Sequence, residues 1–151
     1  MNNSFYLARN YKGEYATAGS IFMDYRNASD FSDAFSIIYG HRMGGGRMFA
    51  DVTRFAEEDY FNEHSSGALM TTRGNFGLRI AAFAKIRADD VTVYDVDLSK
   101  TGLAIDYLWD IATYKREKWA GNYILLSTCD ALDKSLRDVL LVNVYGDGML
   151  Q

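Results

Sequence analysis

Short apolar runs broken by polar or glycine-rich residues recur along the chain and predict strands. Residues 21–25 form the first, after Gly19. Residues 36–39 form the second, stopped by Gly40. Residues 67–72 stand out as a strand inside the polar stretch 61–75. Residues 76–85 are apolar enough for a buried strand. Residues 86–97 carry Val91, Val93 and Val96 and predict another, with Asp89 and Asp90 at a bulge or turn. Residues 123–128 and 139–145 are the last two, on either side of a polar loop at 130–135. Before all of these, Phe5, Tyr6 and Leu7 belong to a short helix or an extended lead-in.

A helical rhythm appears twice. Met48, Val52, Phe55 and Ala56 recur near helical spacing with Asp51, Arg54, Glu57 and Glu58 between them, which predicts an amphipathic helix over residues 48–60. Residues 99–119 predict the longer helix. Leu103, Tyr107, Leu108, Ile111 and Ala112 give its apolar face, Ser99 or Thr101 its N-cap, and Gly121 and Asn122 its stop. No repeat, linker or low-complexity tract interrupts the 151 residues, the size of one domain. The fold class expected is mostly β with two main helices.

Composition supports a packed core, because 48% of residues are hydrophobic and aromatics are plentiful. Proline is absent, so glycine, Asn, Asp and Ser must make the turns. A net charge of −4 argues against nucleic acid as a partner, since phosphates call for a basic face. A lone cysteine excludes an internal disulfide framework and a thiolate-rich zinc site. No stretch has the roughly 20 apolar residues that span a bilayer.

That lone cysteine, Cys129, ends the strand at 123–128 and precedes a polar turn. A single cysteine is commonly a buried, inert small hydrophobe; a reactive one needs electropositive neighbours. Arg137 lies eight positions later, near the start of the next strand. If the two strands pair antiparallel across the turn, the guanidinium comes beside the sulfur; the alternative is a surface ion pair with Asp133 or Asp138. His41 follows a strand end and precedes the glycines 44–46, which predict a flexible loop. A cysteine with a neighbouring histidine is the usual thiol-nucleophile pairing. His64 sits in a polar stretch and reads as a solvated loop residue. A peptide hydrolase that releases acid to water, and a non-catalytic scaffold with a buried sulfur, stand as alternatives to a transferase.

Residues 21–27 (Ile-Phe-Met-Asp-Tyr-Arg-Asn), 37–41 (Ile-Ile-Tyr-Gly-His), 48–51 (Met-Phe-Ala-Asp), 126–129 (Leu-Ser-Thr-Cys) and Arg137, in this order, resemble the class B sortases. The resemblance runs from about Phe5 to Tyr145. It implies an eight-stranded β-barrel whose longer helix precedes the cysteine strand. It implies a cysteine transpeptidase on the outer face of a Gram-positive membrane, cutting an Asn-Pro-X-Thr-X sorting signal after Thr. The acyl group then passes to an amine of a cell-wall precursor or a pilin lysine. By motif, Cys129 is the nucleophile, His41 the general acid/base, and Arg137 the group that orients substrate and steadies the oxyanion. Tyr39, Ser127 and Asp130 match substrate contacts, as do Asn3 and Leu7. No cofactor and no metal are implied, and membrane association comes only through a segment this chain does not contain. The chain departs from the pattern at Arg42, where the family commonly has Asn. It also lacks the N-terminal helices and first two strands. The expectation is one N-terminally truncated catalytic domain over 1–151, an incomplete barrel whose open edges invite pairing with a second chain.

Overall fold

A computed structural model describes residues 2–94 and 100–146. Nine strands occur among them: β1 (Phe22–Met23), β2 (Phe35–Tyr39), β3 (Arg42–Met43), β4 (Arg47–Met48), β5 (Ser66–Thr71), β6 (Gly74–Arg87), β7 (Tyr114–Lys115), β8 (Asn122–Cys129) and β9 (Leu136–Tyr145). Helices α1 (Glu58–Glu63), α2 (Val91–Tyr94) and α3 (Thr101–Ile111) and short 3₁₀ turns fill the connections.

The main sheet runs β1-β2-β8-β9-β6-β5, with β7 also paired to β6. β8 lies parallel to β2 and antiparallel to β9. Apolar residues are buried on both faces of β8 and β9, which explains their nearly continuous hydrophobic runs. On one face Ile37, Leu125, Val139 and Leu141 pack with Ala104 and Leu108 of α3. On the other, Phe83, Leu140 and Val142 pack with Val52 and Phe55 of the 3₁₀ segment and Phe61 of α1. Among the described residues the sheet does not close: β1 pairs only with β2, and β5 only with β6.

Several expectations change. Residues 48–60 are not one helix. The chain is 3₁₀ over Ala50–Ala56, turns extended at Glu57 (φ −88°, ψ 125°) and restarts as α1. Residues 91–94, expected in a strand, are helical. Asp90 is the reason: its side chain accepts from the Thr92 amide and its carbonyl from the Tyr94 amide, which outweighs the β-branched preference of Val91 and Val93. Val96 lies outside the described residues, as does Ser99; the residue at the N-cap of α3 is Lys100.

The longer helix stops at Ile111 because the backbone beyond it is claimed by the sheet. Thr113 donates to Phe83 and Arg116 to Ala81, and Tyr114–Lys115 becomes β7. Leu103 is 63% exposed, so the buried stripe of α3 runs through Ala104 and Leu108 instead. The glycines at 44–46 are not a loose loop. They close the β3–β4 hairpin, with Gly45 and Gly46 at φ 76° and 69°, a conformation open to glycine at little cost. His64 is exposed in the connection after α1, as expected, and caps that helix: its Nδ1 bonds the Tyr60 carbonyl at 2.9 Å and its ring stacks on Tyr60.

Candidate active site

Three strand ends meet at Cys129. The β2–β8 ladder ends with Tyr39 opposite Ser127, and the Gly40 amide still donates to the Ser127 carbonyl at 3.1 Å. Two residues beyond the end of that ladder, His41 lines the same cleft as Cys129. Across the other edge of β8, Cys129 pairs directly with Arg137 of β9. Partners in a ladder project to the same face. The cysteine therefore has the guanidinium strand directly on one flank, and β2, the strand that leads to His41, ends short of it on the other.

Arg137 is half-buried, and its Nη1 donates to the carbonyls of Lys134 and Leu136, both at 2.8 Å. The ion pairs that sequence left open are taken up elsewhere. Asp138 binds Lys85 at 2.7 Å, and Asp133 accepts from Ser135. Among the described residues, the Arg137 guanidinium is thus oriented by carbonyls.

His41 is held by different means. Its Nε2 lies 2.8 Å from the carbonyl of Leu7, in the 3₁₀ turn Tyr6–Ala8. A carbonyl only accepts, so Nε2 carries a proton and Nδ1 is the nitrogen left for chemistry. The His41 carbonyl accepts from Phe49. The Phe49 ring covers Gly40, where a Cβ would lie 2.6 Å from it. The Gly-His pair is thus a packing requirement as well as a motif.

A cleft of about 360 Å³ opens over these groups. Its lining includes Cys129, His41 and Arg137 with four of the other residues expected from sequence, Asn3, Leu7, Tyr39 and Ser127. Asp130 is not in the lining. Its carboxylate binds Lys85 and the amides of Leu132 and Asp133. The Asn3 amide is also engaged within the protein, donating to Asp24 at 2.8 Å and accepting from the Tyr25 amide at 2.9 Å.

Sequence reasoning missed the wall behind the cleft. Asp24, fully buried at its side chain, takes a forked contact from Arg26 (2.8 Å to each oxygen) and a bond from the Tyr39 hydroxyl at 2.9 Å. Burial alone would raise the Asp24 carboxyl. The hydrogen bonds from Arg26, Asn3 and Tyr39 outweigh it and hold the group down to about 2. Arg26 reaches on to the Tyr94 carbonyl at 2.8 Å, and the Tyr94 hydroxyl meets Ser127 at 2.7 Å. Burial pushes the Tyr94 phenol up to about 12. Asp24 and Arg26 lay within the motif at 21–27 but had no role read from them. Tyr94 sat in the segment mistaken for a strand.

No protein-family model matches the chain. Sortase B of Listeria monocytogenes is 36% identical over 135 residues, 85% of this chain but 54% of that protein, so the chain spans about half the length of this curated relative. Among solved structures, Listeria monocytogenes sortase B superposes with a TM-score of 0.76 at 30% identity, covering 95% of this chain and 82% of that one. A Streptococcus pyogenes class B sortase involved in pilus biogenesis reaches a TM-score of 0.83 at 28% identity, covering 95% and 81%. Sortase B from the type II pilus of Streptococcus pneumoniae gives 0.75 at 32%, covering 83% and 76%.

Proposed function

The chain belongs to the class B sortases, and from that premise we propose that it is a cysteine transpeptidase with Cys129, His41 and Arg137 as its catalytic residues. The observation that supports the reading is that Cys129, its direct ladder partner Arg137 and His41 all line one cleft.

The reaction starts when the Cys129 thiolate attacks the carbonyl carbon of the Thr residue in an Asn-Pro-X-Thr-X signal. A C–S bond forms, and the carbonyl π pair moves to oxygen. Arg137, the ladder partner of Cys129, is the donor assigned to that oxyanion in this reading. Collapse breaks the peptide C–N bond. The departing amine takes a proton from His41, which leaves a thioester on Cys129. An incoming amine, from a cell-wall precursor or a pilin lysine, gives its proton to His41 and attacks the thioester. The sulfur leaves, and a new amide is released.

Leu7, Tyr39 and Ser127 lie along the cleft, and Tyr94 stacks on Tyr39 at 6.1 Å between centroids. We read residues 1–151 as one catalytic domain at the outer face of a Gram-positive membrane. No helix among the described residues is long and apolar enough to cross a membrane.

The test is mass spectrometry of an Asn-Pro-X-Thr-X peptide incubated with the protein, with and without an added amine. Cleavage after Thr, with a product joined to the amine, supports transpeptidation. Acid as the sole product even at high amine supports a hydrolase. No cleavage, with Cys129 inert to a thiol reagent, leaves a scaffold.

A further inference from the structure

Asp130 follows the cysteine directly, yet its carboxylate works beside the cleft rather than in it. One oxygen receives the ammonium of Lys85, which stands on β6. The other accepts the amides of Leu132 at 2.8 Å and Asp133 at 3.0 Å. The Asp130 amide donates to the Leu136 carbonyl at 3.2 Å, and the Leu136 amide to the Asp133 carbonyl at 3.1 Å. These bonds fold residues 130–136 into a closed turn. Two of that turn's carbonyls, on Lys134 and Leu136, hold Arg137.

Packing does not fix this turn. Residues 131–135 are all exposed, Leu132 at 97%. Its shape rests on hydrogen bonds: those gathered at Asp130, those of Asp133 with Ser135 and Leu136, and the Ala88 amide on the Ser135 carbonyl at 2.8 Å. Lys85 ties the Asp130 carboxylate to the body of the sheet, because the same ammonium binds Asp138, its ladder partner, which is 1% exposed. Lys85 is itself partly exposed, so the attraction adds little stability; what the contact supplies is position.

We propose that Asp130 and Lys85 are positioning residues that lock the 130–136 turn and so present Arg137 to the cysteine. Asp130 then acts on the reaction through Arg137 and not by touching peptide. Both its oxygens already have partners, and it is absent from the cleft lining. The hydrogen bond from Lys85 holds the Asp130 carboxyl well below the usual carboxylate range, so it stays ionised at neutral pH. The inference rests on Arg137 being the substrate-orienting group of the proposed transpeptidase.

Two readouts on the full chain test it: the Arg137 Nε–H signal in a ¹⁵N-resolved NMR spectrum, and steady-state cleavage of an Asn-Pro-X-Thr-X peptide. Asp130→Ala should shift or broaden the Arg137 signal and lower kcat about tenfold, with KM within about twofold. Asp130→Asn keeps an acceptor for the two turn amides and should recover part of both losses, while Lys85→Ala removes the tie to the sheet and should reproduce the rest. A Lys85→Ala protein identical to the parent in both readouts removes Lys85 from the latch. An Arg137 signal in Asp130→Ala identical to the parent overturns the proposal. So does a tenfold rise in KM with kcat held, the mark of a direct peptide contact. If the parent protein fails to cleave the peptide, the transpeptidase reading fails, while the Arg137 signal still reports whether the latch exists.

Discussion

The two flanks of Cys129 are built on opposite plans. On the Arg137 side the contacts are mostly local, with Lys85 of β6 and the Ala88 amide as the longer-range ties to the turn. Eight ladder pairs join β8 to β9, ending at Cys129 and Arg137, and the turn between them is closed by its own hydrogen bonds. On the His41 side everything is distant in sequence. The parallel ladder with β2 ends two residues short of the histidine, and the ring is held by a carbonyl from the N-terminal segment. A short antiparallel connection can set a residue beside the nucleophile by register alone. A parallel neighbour must be delivered and then fastened by something else, and here that is Leu7.

The largest expected effect breaks the centre of the comparison. Cys129→Ala should abolish peptide cleavage, a fall of about 10⁴-fold or more, with the melting temperature little changed. Retained turnover would end the nucleophile assignment. Next comes the distant flank. His41→Ala should lower kcat by about 10²–10⁴-fold, the usual range for a positioned acid/base. The local flank follows. Arg137→Lys keeps the charge but loses the planar fork and should cost about 10²-fold in kcat. Rates near the parent's would remove Arg137 from the oxyanion role.

The contrast also explains what could be read from sequence. Arg137 was within reach of simple reasoning, because eight positions and a polar turn are enough to imply a hairpin pair. Nothing in spacing or periodicity places His41 beside Cys129, 88 residues later; that came from the resemblance of whole motifs. The strands at 36–39, 67–72, 76–85, 123–128 and 139–145 were legible because alternation or a continuous apolar run survives in the sequence. The 91–94 helix was not, because one Asp cap overrode β-favouring side chains. The wall of the cleft was hidden for another reason. Asp24 looks like any exposed acid until the fold removes its water and leaves Arg26 forked onto it.

That wall yields an effect smaller than the catalytic ones. Asp24 has its folded-state pKa depressed from 3.8 to about 2. A depressed carboxyl adds stability that is present above its unfolded value and is lost as pH falls through the folded one. Between pH 4 and pH 2 the parent should therefore lose about 2 kcal/mol that Asp24→Asn does not. Parallel denaturation curves at the two pH values measure it. Equal losses in both proteins would show that the carboxylate is not held as its contacts with Arg26, Asn3 and Tyr39 imply.

The smallest effect is the sharpest probe of the distant flank, because Leu7 does two separable things. Its carbonyl holds the His41 ring, and its side chain, 46% exposed, lines the cleft. Leu7→Ala deletes the second and keeps the first. The truncated side chain gives up apolar contact worth about 1 kcal/mol, so KM should rise about three- to fivefold. The carbonyl is backbone and stays, so kcat should hold. A kcat that collapses with KM unchanged would mean that the side chain, through the 3₁₀ turn it belongs to, is what keeps the carbonyl in place. The histidine would then depend on the packing of the N-terminal segment and not on a single backbone acceptor.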